Sequence, residues 1–242
     1  MSLRRIVSLS LISLCGLLLF AGFIALGNWQ LERRLWKLDL IEKVETRVHA
    51  PAEAAPGIRD WPSVNKADDE YRHVVLKGQF LTGKDTLVVA ATELGSGYWV
   101  LTPFQRDDGG IVLVNRGYID QGVTPLAPAS RNIAVSGLLR LNEPKGSVLR
   151  ENSPSTGRWY SRDVQAIAAS LGLTAAPYFV DAEAIPTQAN NNTPSSQPVA
   201  GLTVIAFNNS HLVYAITWYG LALCVVLAGL IVVREGRRRN EG

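Results

Sequence analysis

The sequence predicts an α+β membrane protein: two transmembrane helices flank one extracytoplasmic domain with an antiparallel β-sheet or small barrel plus one or two helices. Three observations predict it. The apolar residues are concentrated in two uncharged stretches, Ile6 to Leu26 and Leu212 to Val233. Strand-like runs separated by Gly, Asp and Pro turns follow one another between Tyr71 and Leu141. Arg234, Arg237, Arg238 and Arg239 follow the second stretch, whereas no Lys or Arg lies between Arg162 and its start.

The first stretch has 21 residues without a charge, roughly 31 Å as a helix, which matches the hydrocarbon core of a bilayer. It also has features of a signal peptide, since Arg4 and Arg5 form a basic start and Ala25-Leu26-Gly27 resembles a small-residue cleavage site. The run exceeds the usual apolar region of such peptides, and Trp29 with the basic residues after it has the character of an interfacial anchor. A retained helix is therefore expected, spanning 6–27. The second stretch, 211–233, carries Tyr214, Trp218 and Tyr219 near one end, as interfacial aromatics do.

Orientation follows from Lys and Arg near the spans. The arginines after the second span place the tail 234–242 in the cytoplasm, and two spans then put residues 1–5 there as well. The intervening domain, 28–210, faces away from the cytoplasm. Only five residues precede the first span, too few for an Arg-rich mitochondrial presequence, so a bacterial inner membrane with a periplasmic domain is the expected location. Cys15 and Cys224 both fall in the spans, which leaves the domain without a disulfide or a thiol. Between His49 and Ala206 there are 13 Lys and Arg against 15 Asp and Glu, so nothing points to nucleic acid.

Residues 28–48 are expected to carry the first helix out of the membrane, and Pro51 to Asp69 to form a loop. Strands are predicted at Tyr71 to Phe80, Thr86 to Ala91, Tyr98 to Arg106, Ile111 to Ile119 and Ile133 to Leu141, joined as an antiparallel meander. Ser161 to Leu171 reads as a helix with Asp163 as its N-cap, Ile167 and Leu171 on one face and Gly172 at its end. Tyr178 to Asp181 and Val199 to Phe207 read as closing strands, with a polar, Asn-rich loop from Thr187 to Pro198 between them.

Gly78 to Lys84 has the spacing of a phosphate-binding loop, but Asp85 stands where Ser or Thr must hold magnesium, and its carboxylate would repel phosphate. The segment Leu81 to Asp85 is instead expected to be a hairpin turn. No nucleophile elbow, zinc-binding helix motif, Cys-x-x-Cys or spaced carboxylate pair is present, and no enzymatic activity is expected. Asn191-Asn-Thr193 is a glycosylation sequon, expected to be inert in a bacterial envelope.

Of the three histidines, His49 and His73 lack metal-ligand neighbours and are expected to be ordinary surface or partly buried residues. His211 stands at the entry of the second span, where a helix places Tyr214, Ala215 and Trp218 at i+3, i+4 and i+7. The same interface receives Trp29, Gln30, Arg33, Arg34, Trp36 and Lys37 from the end of the first span. An imidazole can ligate haem iron, aromatic faces suit a flat macrocycle, and Arg or Lys can neutralise propionates. On pattern alone the same residues read better as bilayer anchors, with His211 merely capping the interface.

Taken in order, several segments resemble the surfeit locus protein 1 family, membrane factors for assembly of haem-copper cytochrome oxidases. They are Gly27-Asn-Trp-Gln-Leu-Glu-Arg-Arg-Leu-Trp-Lys37, Tyr71-Arg-His-Val-Val-Leu-Lys-Gly78, Gly97-Tyr-Trp-Val-Leu-Thr-Pro-Phe104, Val112-Leu-Val-Asn-Arg-Gly117, Pro177-Tyr-Phe-Val-Asp181 and His211-Leu-Val-Tyr-Ala-Ile-Thr-Trp-Tyr219. The resemblance implies a non-catalytic factor that binds haem a transiently and aids its insertion into oxidase subunit I, with haem a synthase as a further candidate partner. It makes His211 the axial iron ligand, with Tyr214, Trp218, Trp29, Gln30, Arg33 and Lys37 lining the site. Asn115, Arg116 and Gly117 match a motif of structural character, expected to be a turn. Ser210 stands where Asn is expected before the histidine, and Tyr118 where Trp is common. The alternative is a membrane-anchored scaffold for subunit I that does not itself bind haem. Copper delivery is disfavoured by a domain without cysteine and a chain whose one methionine is Met1.

Overall fold

The computed structural model describes residues 3–128, 132–144, 150–183, 196–203 and 209–241. They form two compact units: the long terminal helices, Met1–Lys43 with Ala206–Gly242, and a β-rich domain, Val44–Ile205. Helix α1 runs Leu3–His49 and helix α4 runs His211–Glu241. Both are long and apolar enough to cross a membrane. Exposed Leu, Ile and Val crowd their surfaces, among them Leu17, Leu18, Ile231 and Val213, as a lipid-facing helix requires.

The domain contains strands β1 (Glu53–Ala54), β2 (His73–Phe80), β3 (Thr86–Thr92), β4 (Gly95–Arg106), β5 (Ile111–Asp120), β6 (Ile133–Leu141) and β7 (Tyr178–Ala182), and short helices α2 (Lys66–Asp69) and α3 (Val164–Ser170). The sheet order is β1-β2-β6-β7-β5-β4-β3, and an added β2–β4 pairing closes β2, β6, β7, β5 and β4 into a small barrel. Of the two architectures expected, the barrel is realised. The meander is not: only β3, β4 and β5 follow one another as neighbours, and β5 pairs with β7 in parallel.

The hairpin expected at Leu81 to Asp85 is likewise absent, because β2 pairs with β4 instead of β3. The cause lies in β4, which pairs with β3 through Leu101 and with β2 from Phe104 onward. Between Trp99 and Leu101 its register against β5 shifts, a bulge that bends the strand and turns its second half toward β2. Closure demands Gly78. Its φ is +151°, and a Cβ there would lie 2.0 Å from the Gln105 carbonyl oxygen. Gly78→Ala is expected to cost about 2–3 kcal/mol through this clash, measured as a lowered denaturation midpoint.

Alternation along the strands sorts side chains into two cores. Val112, Val114, Tyr178 and Val180 point into the barrel with Val74, Leu76, Phe104 and Leu139. Leu113 and Phe179 point the other way, against Val88, Leu101, Trp159, Val164 and Ile167. The second set seats α3, whose Asp163 side chain caps it by accepting from Ala166 N at 3.2 Å. Gly172 follows in the left-handed region, as its position predicts. The expected loop over Pro51 to Asp69 contains β1, a turn of 3-10 helix at Trp61–Ser63 and α2. Of the strand expected from Val199 to Phe207, Val199 forms a single bridge to Tyr118 and 200–203 are not strand, while 204–207 and most of the loop from Thr187 with its sequon lie outside the described residues.

Tyr178 links the barrel to the loop. Its hydroxyl donates to the Pro56 carbonyl at 2.7 Å and accepts from Arg106 Nη1 at 3.2 Å. Burial pushes the phenol up to about 12, above its ordinary value near 10. The folded state thus holds this proton more tightly than the unfolded one. The resulting stability is complete below about pH 10 and is lost as pH rises through about 12. Wild type is expected to lose on the order of 2 kcal/mol more than Tyr178→Phe between these limits, measured by denaturant titration at each pH.

Candidate functional site

Among the described residues, four contacts join α1 to α4 at the end carrying His211. The rings of Phe23 and Trp218 stack with centroids 5.8 Å apart at 25°. Gly27 is buried beneath Tyr219, and a Cβ there would lie 2.5 Å from the ring's Cε1. Tyr219 donates its hydroxyl to Asn28 Oδ1 at 2.7 Å. His211 Nδ1 lies 2.8 Å from Gln30 Oε1. The pairing is antiparallel, since Phe23 meets Trp218 while Gln30 meets His211.

The local sequence explains this geometry. A helix advances about 100° per residue, so His211, Ala215, Trp218 and Ala222 fall within one narrow stripe. Ala215 and Ala222 are almost wholly buried, and their small side chains allow close helix approach. On α1 the matching positions are Phe23, Gly27 and Gln30, at spacings of four and three. Tyr214 falls at the flank of the stripe and is 54% exposed, whereas Tyr219, on the other flank, reaches across to Asn28.

Of the residues singled out from sequence, the structure brings together His211 and Gln30, and seats Trp218 on α1. Trp29 is 50% exposed. The Arg33 guanidinium lies 5.0 Å over the Trp36 ring on its own helix. Among the described residues, no hydrogen bond or ring contact draws Tyr214, Trp29, Arg33 or Lys37 onto His211. Tyr219, Asn28, Gly27 and Phe23 are the partners that sequence reading left unassigned. A helical-wheel match of small residues on both spans, Gly27 against Ala215 and Ala222, was the available signal.

His211 makes its one hydrogen bond through Nδ1, and Nε2 has no partner among the described residues. Of the other two histidines, the mostly exposed His49 is likewise held through Nδ1 alone, by a carbonyl of its own helix, and only His73 is held at both nitrogens. His49 Nδ1 sits 2.9 Å from Glu45 O, and His73 is flanked by Ala50 O at 2.7 Å and Glu183 Oε1 at 2.8 Å. An imidazole with one nitrogen held and the other open can act as a ligand to a soft or borderline metal ion.

The domain has a second polar centre. Asp181, on β7, is 4% exposed. It accepts from Asn115 Nδ2 at 2.8 Å, Arg140 Nη1 at 3.1 Å, Arg162 Nη1 at 3.3 Å and Thr203 Oγ1 at 3.0 Å. Arg140 and Arg162 also share Glu143, and Arg140 Nε donates to Glu70. Both guanidiniums lie over the Phe179 ring, and Arg140 also covers Tyr71, a non-glycine residue at φ +63°. This network walls one side of a cavity of about 460 Å³ that Trp99, Leu94 and Leu202 line from the apolar side. Burial alone would lower the basicity of Arg140, but Asp181 and the other acidic neighbours outweigh it and raise its pKa. The carboxylates and guanidiniums satisfy one another, so the centre reads as an electrostatic clasp joining β5, β6, β7 and the segment before α3. Asn115-Arg-Gly117, expected to be a turn, lies inside strand β5, with Asn115 Oδ1 accepting from Gly117 N.

These features define a class: a membrane protein in which two apolar helices, the second opening on a histidine that meets a glutamine of the first, carry a small closed β-barrel. A family model described as the SURF1 family matches residues 17–223. Surfeit locus protein 1 of Rattus norvegicus is 33% identical over 219 residues, covering 81% of this chain and 67% of that protein. The protein of the same name from Homo sapiens is 32% identical over 221 residues, covering 81% and 69%. A SURF1-like protein of Caenorhabditis elegans is 30% identical over 229 residues, covering 84% and 68%. The chain belongs to the SURF1 family.

Proposed function

We propose that this protein is a non-catalytic assembly factor for a haem-copper cytochrome oxidase, taking haem a as transient cargo at His211 and passing it to oxidase subunit I. The observation that carries the reading is the His211 imidazole, bonded through Nδ1 and open at Nε2, at the end of a pair of apolar helices. The cargo's iron takes an imidazole nitrogen as axial ligand.

The donor set fits such a cargo. Trp218, Tyr214 and Trp29 supply apolar and aromatic surface near the histidine's end of the helices, and Arg33 and Lys37 supply positive charge for propionates. A single histidine holds less tightly than a site that encloses its ligand, which keeps residence short enough for handover. The barrel domain serves to dock subunit I, and a haem a synthase is the natural donor. The arginines in the last turns of α4 favour a periplasmic domain on a bacterial inner membrane.

A second reading, a scaffold for subunit I that never touches haem, draws on the exposure of Trp29 and Trp36, which suits bilayer anchors. Titration of haem a into the full-length protein in detergent separates the two. Saturation at one haem per chain supports the cargo reading; no saturable binding by a protein that still captures subunit I supports the scaffold.

A further inference from the structure

We propose that Gln30 is a positioning residue for His211: its side-chain carbonyl holds the imidazole in the tautomer that keeps the lone pair on Nε2. The inference deepens the haem-cargo reading and rests on it for its purpose, but the geometry that carries it belongs to the protein alone. Gln30 Oε1 lies 2.8 Å from His211 Nδ1. An amide oxygen can only accept, so Nδ1 carries the proton, and a neutral imidazole then has its lone pair on Nε2. A neutral histidine free in water distributes its proton between both nitrogens, and only the form with Nε2 unprotonated can ligate through that atom.

The rest of the helix pair fixes the height and rotation at which this bond forms. Phe23 on Trp218, Gly27 under Tyr219 and Asn28 bonded to Tyr219 are three successive contacts that lead to Gln30 and His211. The Tyr219 ring occupies the space a side chain at position 27 would need, so Gly27 permits the approach and Asn28 sets its register. A partner on the distal nitrogen of a metal-binding histidine orients the ring and raises its donor strength. An amide does this more gently than a carboxylate would, which suits a ligand that must let go. Gln30 thus acts through His211 and does not itself touch the cargo.

The test uses the full-length protein in detergent, labelled with 15N-histidine and free of haem, at alkaline pH where imidazoles are neutral. The His211 signal is assigned by its loss in His211→Ala. The expected result is a protonated Nδ1 and an unprotonated Nε2 for His211 in wild type, a mixed or reversed tautomer in Gln30→Leu, and restoration in Gln30→Glu. With haem a added, Gln30→Leu is expected to bind about 10-fold to 100-fold more weakly, and Gln30→Glu to give a lower haem reduction potential than wild type. A wild-type His211 protonated on Nε2, or a Gln30→Leu protein with unchanged tautomer and unchanged helix content, overturns the inference. A wild type that shows the expected tautomer but binds no haem a overturns the cargo reading and leaves the tautomer assignment standing.

Discussion

Asp181→Ala is expected to lower the stability of the β-barrel domain by about 3–5 kcal/mol, a large share of the roughly 5–15 kcal/mol that an ordinary domain has. The cost comes from removing a buried anion that its partners need. Asp181 is nearly inaccessible and accepts from four side chains on separate parts of the chain. Alanine would leave Asn115 Nδ2 and Thr203 Oγ1 without an acceptor and strip each guanidinium of one of its carboxylates. Glu143 would still hold both arginines and Glu70 would hold Arg140, so the loss is that of one buried anion and not of the whole network. Asp181→Asn keeps an acceptor oxygen and is expected to cost less. Denaturant unfolding of the full chain, followed by tryptophan fluorescence, measures both. An Asp181→Ala midpoint within about 0.5 kcal/mol of wild type would show that the clasp carries no net stability.

The second large effect is at His211. His211→Ala is expected to reduce affinity for haem a by more than about 100-fold, because it removes the ligand itself where loss of a supporting partner costs 10-fold to 100-fold. The helix pair should survive, since Phe23 on Trp218, Gly27 under Tyr219 and the Tyr219–Asn28 bond do not involve the imidazole. Unchanged helix content by circular dichroism, together with lost haem binding in the titration, separates a ligand role from a structural one. Equal binding by wild type and His211→Ala would assign any haem contact to the aromatic residues alone.

Local pattern made much of this fold legible, and long-range closure escaped it. Strands β2 to β6 and helix α3 lie close to their expected positions, because period-two alternation, Gly and Pro punctuation and the Asp163 cap act within a few residues. The barrel's closure depends on a bulge between Trp99 and Leu101 and on the absent side chain of Gly78, neither of which breaks the alternation pattern in sequence. A β2–β3 hairpin was the natural reading of Leu81 to Asp85, yet adjacency along the chain lost to the pairing that a bent β4 makes possible. At the helix pair, the place of His211 at the start of the second apolar helix was legible from the sequence. Its bond to Gln30 was not, since 181 residues separate them and only the packing stripe of Gly27, Ala215 and Ala222 brings them level. The Asp181 clasp was hidden for the same reason: Asn115, Arg140, Arg162 and Asp181 share no local motif, and β5, β6 and β7 bring them together through pairing alone.

Haem a carriage at His211 is tested by the visible spectrum of the full-length protein purified from cells that make haem a, with His211→Ala prepared in parallel. The expected result is a haem a spectrum in wild type that is absent from the variant. A colourless wild type that nonetheless supports oxidase assembly would contradict it, leaving the two helices as anchors and the barrel as a scaffold.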